Sequence, residues 1–440
     1  MKPDTHPAGL EPATACSWRR RLHAALACAT AALMVACGGG GGDTAGVGTG
    51  GTGSFVVGSV TGFGSVFVNG VRYEDTGARV VDDDGTVKVL GTDDNPLKVG
   101  MVVELTGTVD DSGTVRKATQ IAYGAEIKGP VTAVDAAAGT FEVFGITVRT
   151  SATSTNFFNF GGVAALAAGN VVEVHGQPDT SGRIVATYVE REATTEAEFA
   201  DGDGEYRLRG AIAGLGGSAA GYLFMVRGVA VRTDGSTRIE GTPVDGAAVS
   251  VRLNPVPLGD GSYLAERLKM RSTSLDDVSS SAEAELEGYV SEFDASTGSF
   301  RVAGYAAKLG STVAYEDGVA TDLKNGIRVE AKGSVQNGVL VVTKLEFKSL
   351  DSDDDGNDDD VSGGSEDENQ FNGIATCVSC GSSSGNFTIK GETVRYDSST
   401  EFEDGLTGAT LDGRTVEVKS LAEVTASGTI YLATRIKLDD

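Results

Sequence analysis

"GPVTAVDAAAGTFEVFGITVRT" runs from Gly129 to Thr150. It opens on glycine, alternates apolar and polar residues, turns at Asp135–Gly139, and alternates again. Period-two alternation broken by Asp and Gly is the pattern of half-buried strands joined by tight turns. The frame returns as "GSVTGFGSVFVNGVRY" from Gly58, "GAIAGLGGSAAGYLFMVRGVAVRT" from Gly210, "GYVSEFDASTGSFRVAGYAAKLG" from Gly288 and "GIATCVSCGSSSGNFTIKGETVRY" from Gly373. Five registrations of one pattern make the chain a repeat protein.

Each copy continues alike. A middle strand reads "GMVVELTG" from Gly100, "GNVVEVHG" from Gly169, "GAAVSVRL" from Gly246, "GIRVEAKG" from Gly326 and "GRTVEVKS" from Gly413. A last strand follows: "KATQI", "VATYV", "LAERL", "VVTKL" and "LATRI". In "GIRVEAKG" Ile327, Val329 and Ala331 face one way, and Arg328, Glu330 and Lys332 the other. One face packs and one is expected to be wet. Asn69-Gly70 in "FVNGVRY" signals a hairpin. "GGVAALAAG", from Gly161, is expected to form a short turn of helix.

A sheet this short and glycine-rich hides its apolar face by closing. The expected fold is all-β: a tandem array of five small five-stranded barrel-like units, OB-like or SH3-like, with a sandwich module as the alternative. The boundaries read as a signal peptide over 1–36, a lipidated cysteine and Gly-rich tether over 37–54, and repeats over 55–126, 127–195, 206–272, 284–349 and 372–440. Linkers fall at 196–205 and 273–283, with an acidic one at 350–371. Polar linkers predict beads with modest interfaces.

The pattern resembles the bacterial repeat known as domain of unknown function 5666. The resemblance rests on the "GxV" opening, the hairpin of Phe141, Val143, Gly145 and Val148 (again Phe300, Val302 and Gly304), the "G-x-x-V-E-V" strand and the "A-T-x-I" strand. It covers most of residues 55 to 440 and implies no activity. Copy three departs, with Ser250 in place of the recurrent Glu; copy one carries an Asp-rich insertion, "VVDDDGTVKVLGTDDN".

Arg19–Arg21 followed by an Ala- and Leu-rich run to Ala36 has the layout of a secretory signal. Leu33-Met34-Val35-Ala36-Cys37 resembles a bacterial lipobox, which makes Cys37 the expected lipidation site. Three acyl chains on it anchor a protein stably. The glycine-rich stretch to residue 54 then reads as a tether. Gly38 beside the lipid cysteine, in place of an Asp, points to the outer membrane, facing the periplasm or the outside.

Acidic residues number 62 against 36 basic, a formal charge of −26. Such a surface repels nucleic acid, so the expected partners are the outer membrane through the lipid anchor and an envelope protein or glycan, with no nucleic acid. Glu104, Glu173, Glu330 and Glu417 recur at one strand position; they are expected on the wet face, pairing with a cross-strand cation such as Arg149 for Glu173. Asp351, Asp353, Asp355 and Asp359 are spaced like the start of a calcium loop, but Ser362 stands where a bidentate Glu is needed. Calcium is the one cofactor this raises, against a plain solvated linker. "DDDG" at Asp82–Gly85 reads as turn chemistry. Cys377 and Cys380 form a CxxC with no second ligand pair; in an oxidising compartment a disulfide across a β-turn is expected, with a redox pair as the alternative. His175 is expected outward on its strand, with no nucleophile elbow near it. The expectation is a noncatalytic envelope lipoprotein whose β modules bind, adhere or assemble; the alternatives are a periplasmic enzyme or redox protein, and a calcium-responsive spacer.

Overall fold

The computed structural model describes residues 52–110, 114–202, 204–218, 220–348 and 368–439. In the second repeat, strand Ile127–Asp135 turns at Gly139 (φ 62°) into strand Thr140–Val143, and Phe144 and Gly145 (φ 53° and 77°) turn that into Ile146–Arg149. The third strand pairs parallel to the fifth, Ile184–Ala193 (Val148 opposite Ile184). The fifth pairs antiparallel to the fourth, Val171–Pro178, and the fourth antiparallel to the first. The order 1-2-3-5-4-1 closes a five-stranded, OB-like barrel. Its inside is the alternating apolar set: Val131, Phe141, Val143, Val148, Val172, Val174 and Val189 are all buried.

The other repeats adopt the same order. Their first strands are Thr52–Phe63, Tyr206–Ser218, Glu283–Asp294 and Asn369–Ile374, the last continued by Thr376–Cys380. The third-to-fifth pairing is parallel at Val231–Tyr263, Ala307–Leu340 and Val394–Tyr431; the first repeat closes through a single bridge, Glu74–Lys117. Among the described residues the protein is nearly all-β, with 58% strand and 4% helix. Helical turns at Val163–Ala165 and Glu196–Asp201 lie between strands.

The polar linkers do not separate beads. Segment 196–205 holds the helix Glu196–Asp201, capped by the Thr195 side chain, with Phe199 stacked on Tyr206 at 5.4 Å. In segment 273–283 Leu275 is fully buried in the core of the fourth repeat. The tether expected to residue 54 ends earlier, because strand pairing begins at Thr52. Asn369–Ile374 likewise starts inside the expected acidic linker.

Seams join the repeats, and three of the four link repeats that are not neighbours in sequence. Ser54–Val57 runs parallel to Glu283–Leu286, and Gly62–Phe63 parallel to Gln370–Phe371. Lys128 lies opposite Arg207, and Phe158 bridges Gly428. One core therefore spans repeats two and three, another spans one and five, and a third joins Phe55 and Val57 to repeat four. Gly62 permits its seam: a Cβ there would lie 1.6 Å from the Gln370 carbonyl oxygen.

The first and third repeats meet through charge. The Asp-rich insertion does form a turn, with Asp82 Oδ1 accepting the Asp84 and Thr86 amides at 2.9 and 2.8 Å. It also reaches into the third repeat, which corrects its reading as turn chemistry alone. Asp83 takes a bidentate pair from Arg209, with Nη2 at 2.6 Å and Nε at 3.0 Å. Asp84 pairs with Arg207 and lies 3.5 Å from both Arg252 and Arg267. In return, Arg271 of the third repeat lies 2.8 Å from Glu104 of the first. The departure at Ser250 now has a cause. Ser250 faces Arg209 across the strands, where repeat two pairs Glu173 with Lys128. Here the carboxylate comes from Asp83, and Ser250 Oγ donates to it at 3.0 Å. A Glu at 250 would set two carboxylates on one guanidinium.

At the seam of repeats one and four, the turn residue Asn69 donates to Glu285 Oε1 at 2.8 Å, and Lys332 lies 3.3 Å from Oε2. Lys332 also holds Glu330 at 2.5 Å. Burial, then the charge of Glu330, push Glu285 up to about 7.

Two expectations follow from these contacts. Asp83→Ala and Ser250→Glu should each lower stability by about 3 kcal/mol, as for a buried pair that is broken or crowded. The double variant returns a carboxylate to Arg209 from its own repeat and should be more stable than either single in urea unfolding; a double that merely adds the two losses would refute the assignment. For Glu285 the folded pKa lies above the unfolded one, so its stabilising share is full below about 4.5 and is lost as pH rises through about 7. Glu285→Gln should therefore raise the urea midpoint at pH 8 and flatten the decline seen between pH 5 and 8, whereas an unchanged pH profile would contradict it.

Candidate functional site

Where repeats one to four meet, a cavity of about 770 Å³ opens. That lies within the size range of small-molecule sites. The Asp83–Arg209 pair forms one wall, its side chains only 14% and 11% exposed. A second pair, Glu126 with Arg227, lies beside it; Arg227 Nε donates to the Arg209 carbonyl at 2.6 Å. The third pair is Glu104 with Arg271. Val57, Val103, Ala248 and Ala303 supply apolar wall, and Tyr123, Tyr289 and Tyr305 supply rings. Gly124 fits because it has no side chain: a Cβ would lie 2.1 Å from Arg209 Nη2 and 2.3 Å from Asp83 Oδ2.

The electrostatics are those of paired, fixed charges. Burial raises Asp83, but the Arg209 charge and hydrogen bond, with Ser250, outweigh it and hold the carboxyl below its usual range. Burial pushes the phenols up, Tyr123 to about 12, and Tyr289 and Tyr305 also rise. All three remain neutral hydrogen-bonding groups at ordinary pH. Gln177 donates through Nε2 to the Glu287 carbonyl at 2.8 Å. Its Oε1 is buried with no partner among the described residues, and so is Tyr289 Oη. Gln177 and Tyr289 line both the cavity and an adjoining pocket of about 20 Å³.

The recurrent glutamates do not share a site, nor do they share a wet face. Their side chains are 32% (Glu104), 15% (Glu173), 3% (Glu330) and 23% (Glu417) exposed. Neighbouring repeats and cross-strand cations cover that face. Glu173 pairs with Lys128 at 2.5 Å, where Arg149 was expected; Glu417 lies 3.1 Å from Lys437; Glu330 sits beneath Lys332 and Lys348. Of the four, Glu104 alone lines the large cavity.

His175 is also corrected. It is fully buried, its Nε2 2.9 Å from Glu173 Oε1 and its ring edge-on to Tyr188 at 5.7 Å. It lies two residues from Glu173 on one strand and shares its outward face, which the surrounding repeats cover. Burial raises Glu173, but the His175 hydrogen bond and the Lys128 charge hold it well below the usual carboxylate range.

Cys377 and Cys380 are joined by a disulfide. They lie on strand Thr376–Cys380 rather than in the turn that follows, and the bridge spans a register shift opposite Phe387 and Asn386. Both pack against the core shared by repeats one and five. Cys37, Asp351, Asp353, Asp355 and Asp359 lie outside the described residues. The sequence reading missed Asp83, Arg209, Gln177 and Tyr289. Two matching irregularities pointed at the first pair: an extra acidic loop in copy one and a missing carboxylate in copy three.

Comparison with known proteins adds the family and little else. No curated protein matches. Among solved structures, Drosophila Unr CSD456 is similar at 13% identity over 53% of this chain and 96% of its own, with a TM-score of 0.14. A multidomain protein with nucleic acid binding domains from Streptococcus pneumoniae TIGR4 is similar at 12% identity over 50% of this chain and 74% of its own, with a TM-score of 0.13. The exclusion of nucleic acid, drawn from the net charge, is withdrawn on these similarities, although at such scores they assign this chain no partner. Net charge is a sum over the whole surface and does not describe one face. The family model of a domain of unknown function, DUF5666, matches residues 128–190, 209–269, 287–346 and 379–437. With these four segments covering more than half of its length, the chain belongs to the DUF5666 family.

Proposed function

We propose that the chain is a noncatalytic binding protein of the bacterial cell envelope, held at the outer membrane by a lipid on Cys37, whose ligand enters the cavity between the first four repeats. The observation that carries the binding role is the cavity's composition. Four barrels each contribute wall, so the array acts as one receptor rather than as independent beads. The noncatalytic reading is supported by the state of its charged groups. A general base works best with a pKa near the operating pH, whereas Asp83 is held low and committed to Arg209. Three carboxylates on the wall are each bound to an arginine.

The envelope address is supported by the lipobox at Leu33–Cys37 and by the glycine-rich stretch between Cys37 and the first strand at Thr52. Expressed in a bacterial host, the full chain should sediment with outer membranes and be released by detergent, and Cys37→Ser should move it to the soluble fraction. A Cys37→Ser protein that still sediments with membranes would overturn the anchor.

A further inference from the structure

We infer that the four-repeat cavity takes an uncharged, hydroxyl-rich ligand of saccharide size, an inference that rests on the binding role proposed above. The first argument is charge. The wall carries Asp83 with Arg209, Glu126 with Arg227 and Glu104 with Arg271, each pair closed. The two other charged wall residues, Asp82 and Lys269, are opposite in sign, and Asp82 already accepts two backbone amides. The wall is therefore neutral in sum. An ionised ligand entering it must leave its own charge without a counter-charge or pull one of these pairs apart. Either is unfavourable where the paired charges are largely buried. A hydroxyl does neither, since it donates to the free lone pairs of a carboxylate and accepts from the unused guanidinium N–H groups while the pair stays intact.

The second argument is the pattern of unused polar atoms. Gln177 Oε1 is an acceptor and Tyr289 Oη a donor, both buried and both without a partner among the described residues. The Nε2 bond to the Glu287 carbonyl fixes which way the Gln177 amide presents its oxygen. An acceptor and a donor on one wall match a hydroxyl, which is both. Both residues also line the adjoining pocket of about 20 Å³, which has room for one water. The third argument is the mixture of surfaces. Tyr123, Tyr289 and Tyr305 stay neutral, and with Val57, Val103 and Ala303 they offer apolar faces between the polar edges. A sugar ring presents the same mixture of C–H faces and O–H edges. A volume of about 770 Å³ holds one or two such rings.

The test is ligand-observed saturation-transfer NMR on the detergent-solubilised full chain. Maltose is the uncharged probe, and glucose 1-phosphate and glucosamine are its charged counterparts. Maltose should show transfer, with both charged sugars at least about tenfold weaker. Ala248→Trp, which fills the cavity, should abolish the signal. Tyr289→Phe, which removes only an unpaired hydroxyl, should weaken maltose about three- to tenfold without changing the fold, the loss of one hydrogen bond. Charged sugars that bind as well as maltose and are lost in Ala248→Trp would overturn the ligand class and leave the cavity's binding role standing. Binding of any probe that ignores both variants, or no binding at all, would overturn the ligand class and the cavity reading together.

Discussion

The centre of the molecule depends on one carboxylate being lent by one barrel to another. Arg209 is almost fully enclosed, and its own cross-strand neighbour, Ser250, has only a hydroxyl to offer. An unpaired guanidinium there would be strongly destabilising. Asp83 neutralises it in bidentate geometry. The glycine at 124 lets the pair lie flat, and the pair in turn forms a wall of the cavity. A packing contact, a break in a repeat pattern and a candidate binding surface thus share one cause.

The five barrels share a topology, yet the assembly is not a regular array. The same outward strand position serves differently in each copy. Glu104 reaches an arginine of another repeat, Glu173 closes a network with Lys128 and His175, Glu330 is sealed under two lysines, and Glu417 makes a plain cross-strand pair. Strand pairing inside a barrel constrains the inward residues to a common apolar set. The outward residues are free to diverge, and their divergence determines which barrels dock. That docking joins repeat one to four and five, and repeat two to three and five.

This division explains what was readable from sequence. Val172, Val174, Val416 and Val418 sit where period-two alternation places them, fully buried in their barrels. Asn69 and Gly70 form the expected hairpin turn, with φ of 51° and 73°. Alternation separates the inside of a barrel from its outside. It does not say whether the outside meets water or another repeat, and so Glu330 was assigned to solvent and is 3% exposed. His175 was misplaced for the same reason: it shares the outward face of Glu173, and that face is covered rather than wet. The cavity was out of reach, because its walls come from strands of four repeats whose mutual placement no local pattern encodes.

The parallel seam between the first and fourth repeats has a bearing on biogenesis. Asn69 and its partner Glu285 are separated by 216 positions along the chain. A polypeptide delivered N-terminus first completes its opening barrel long before the strands that cover its edges have emerged. During that interval Ser54–Val57 presents an unpaired strand edge, the kind of surface that recruits wrong partners. Long-range pairings of this kind form late and slowly. The charged outer rows that later close the seams also keep each waiting barrel soluble, so the residues that bind the repeats together first hold them apart.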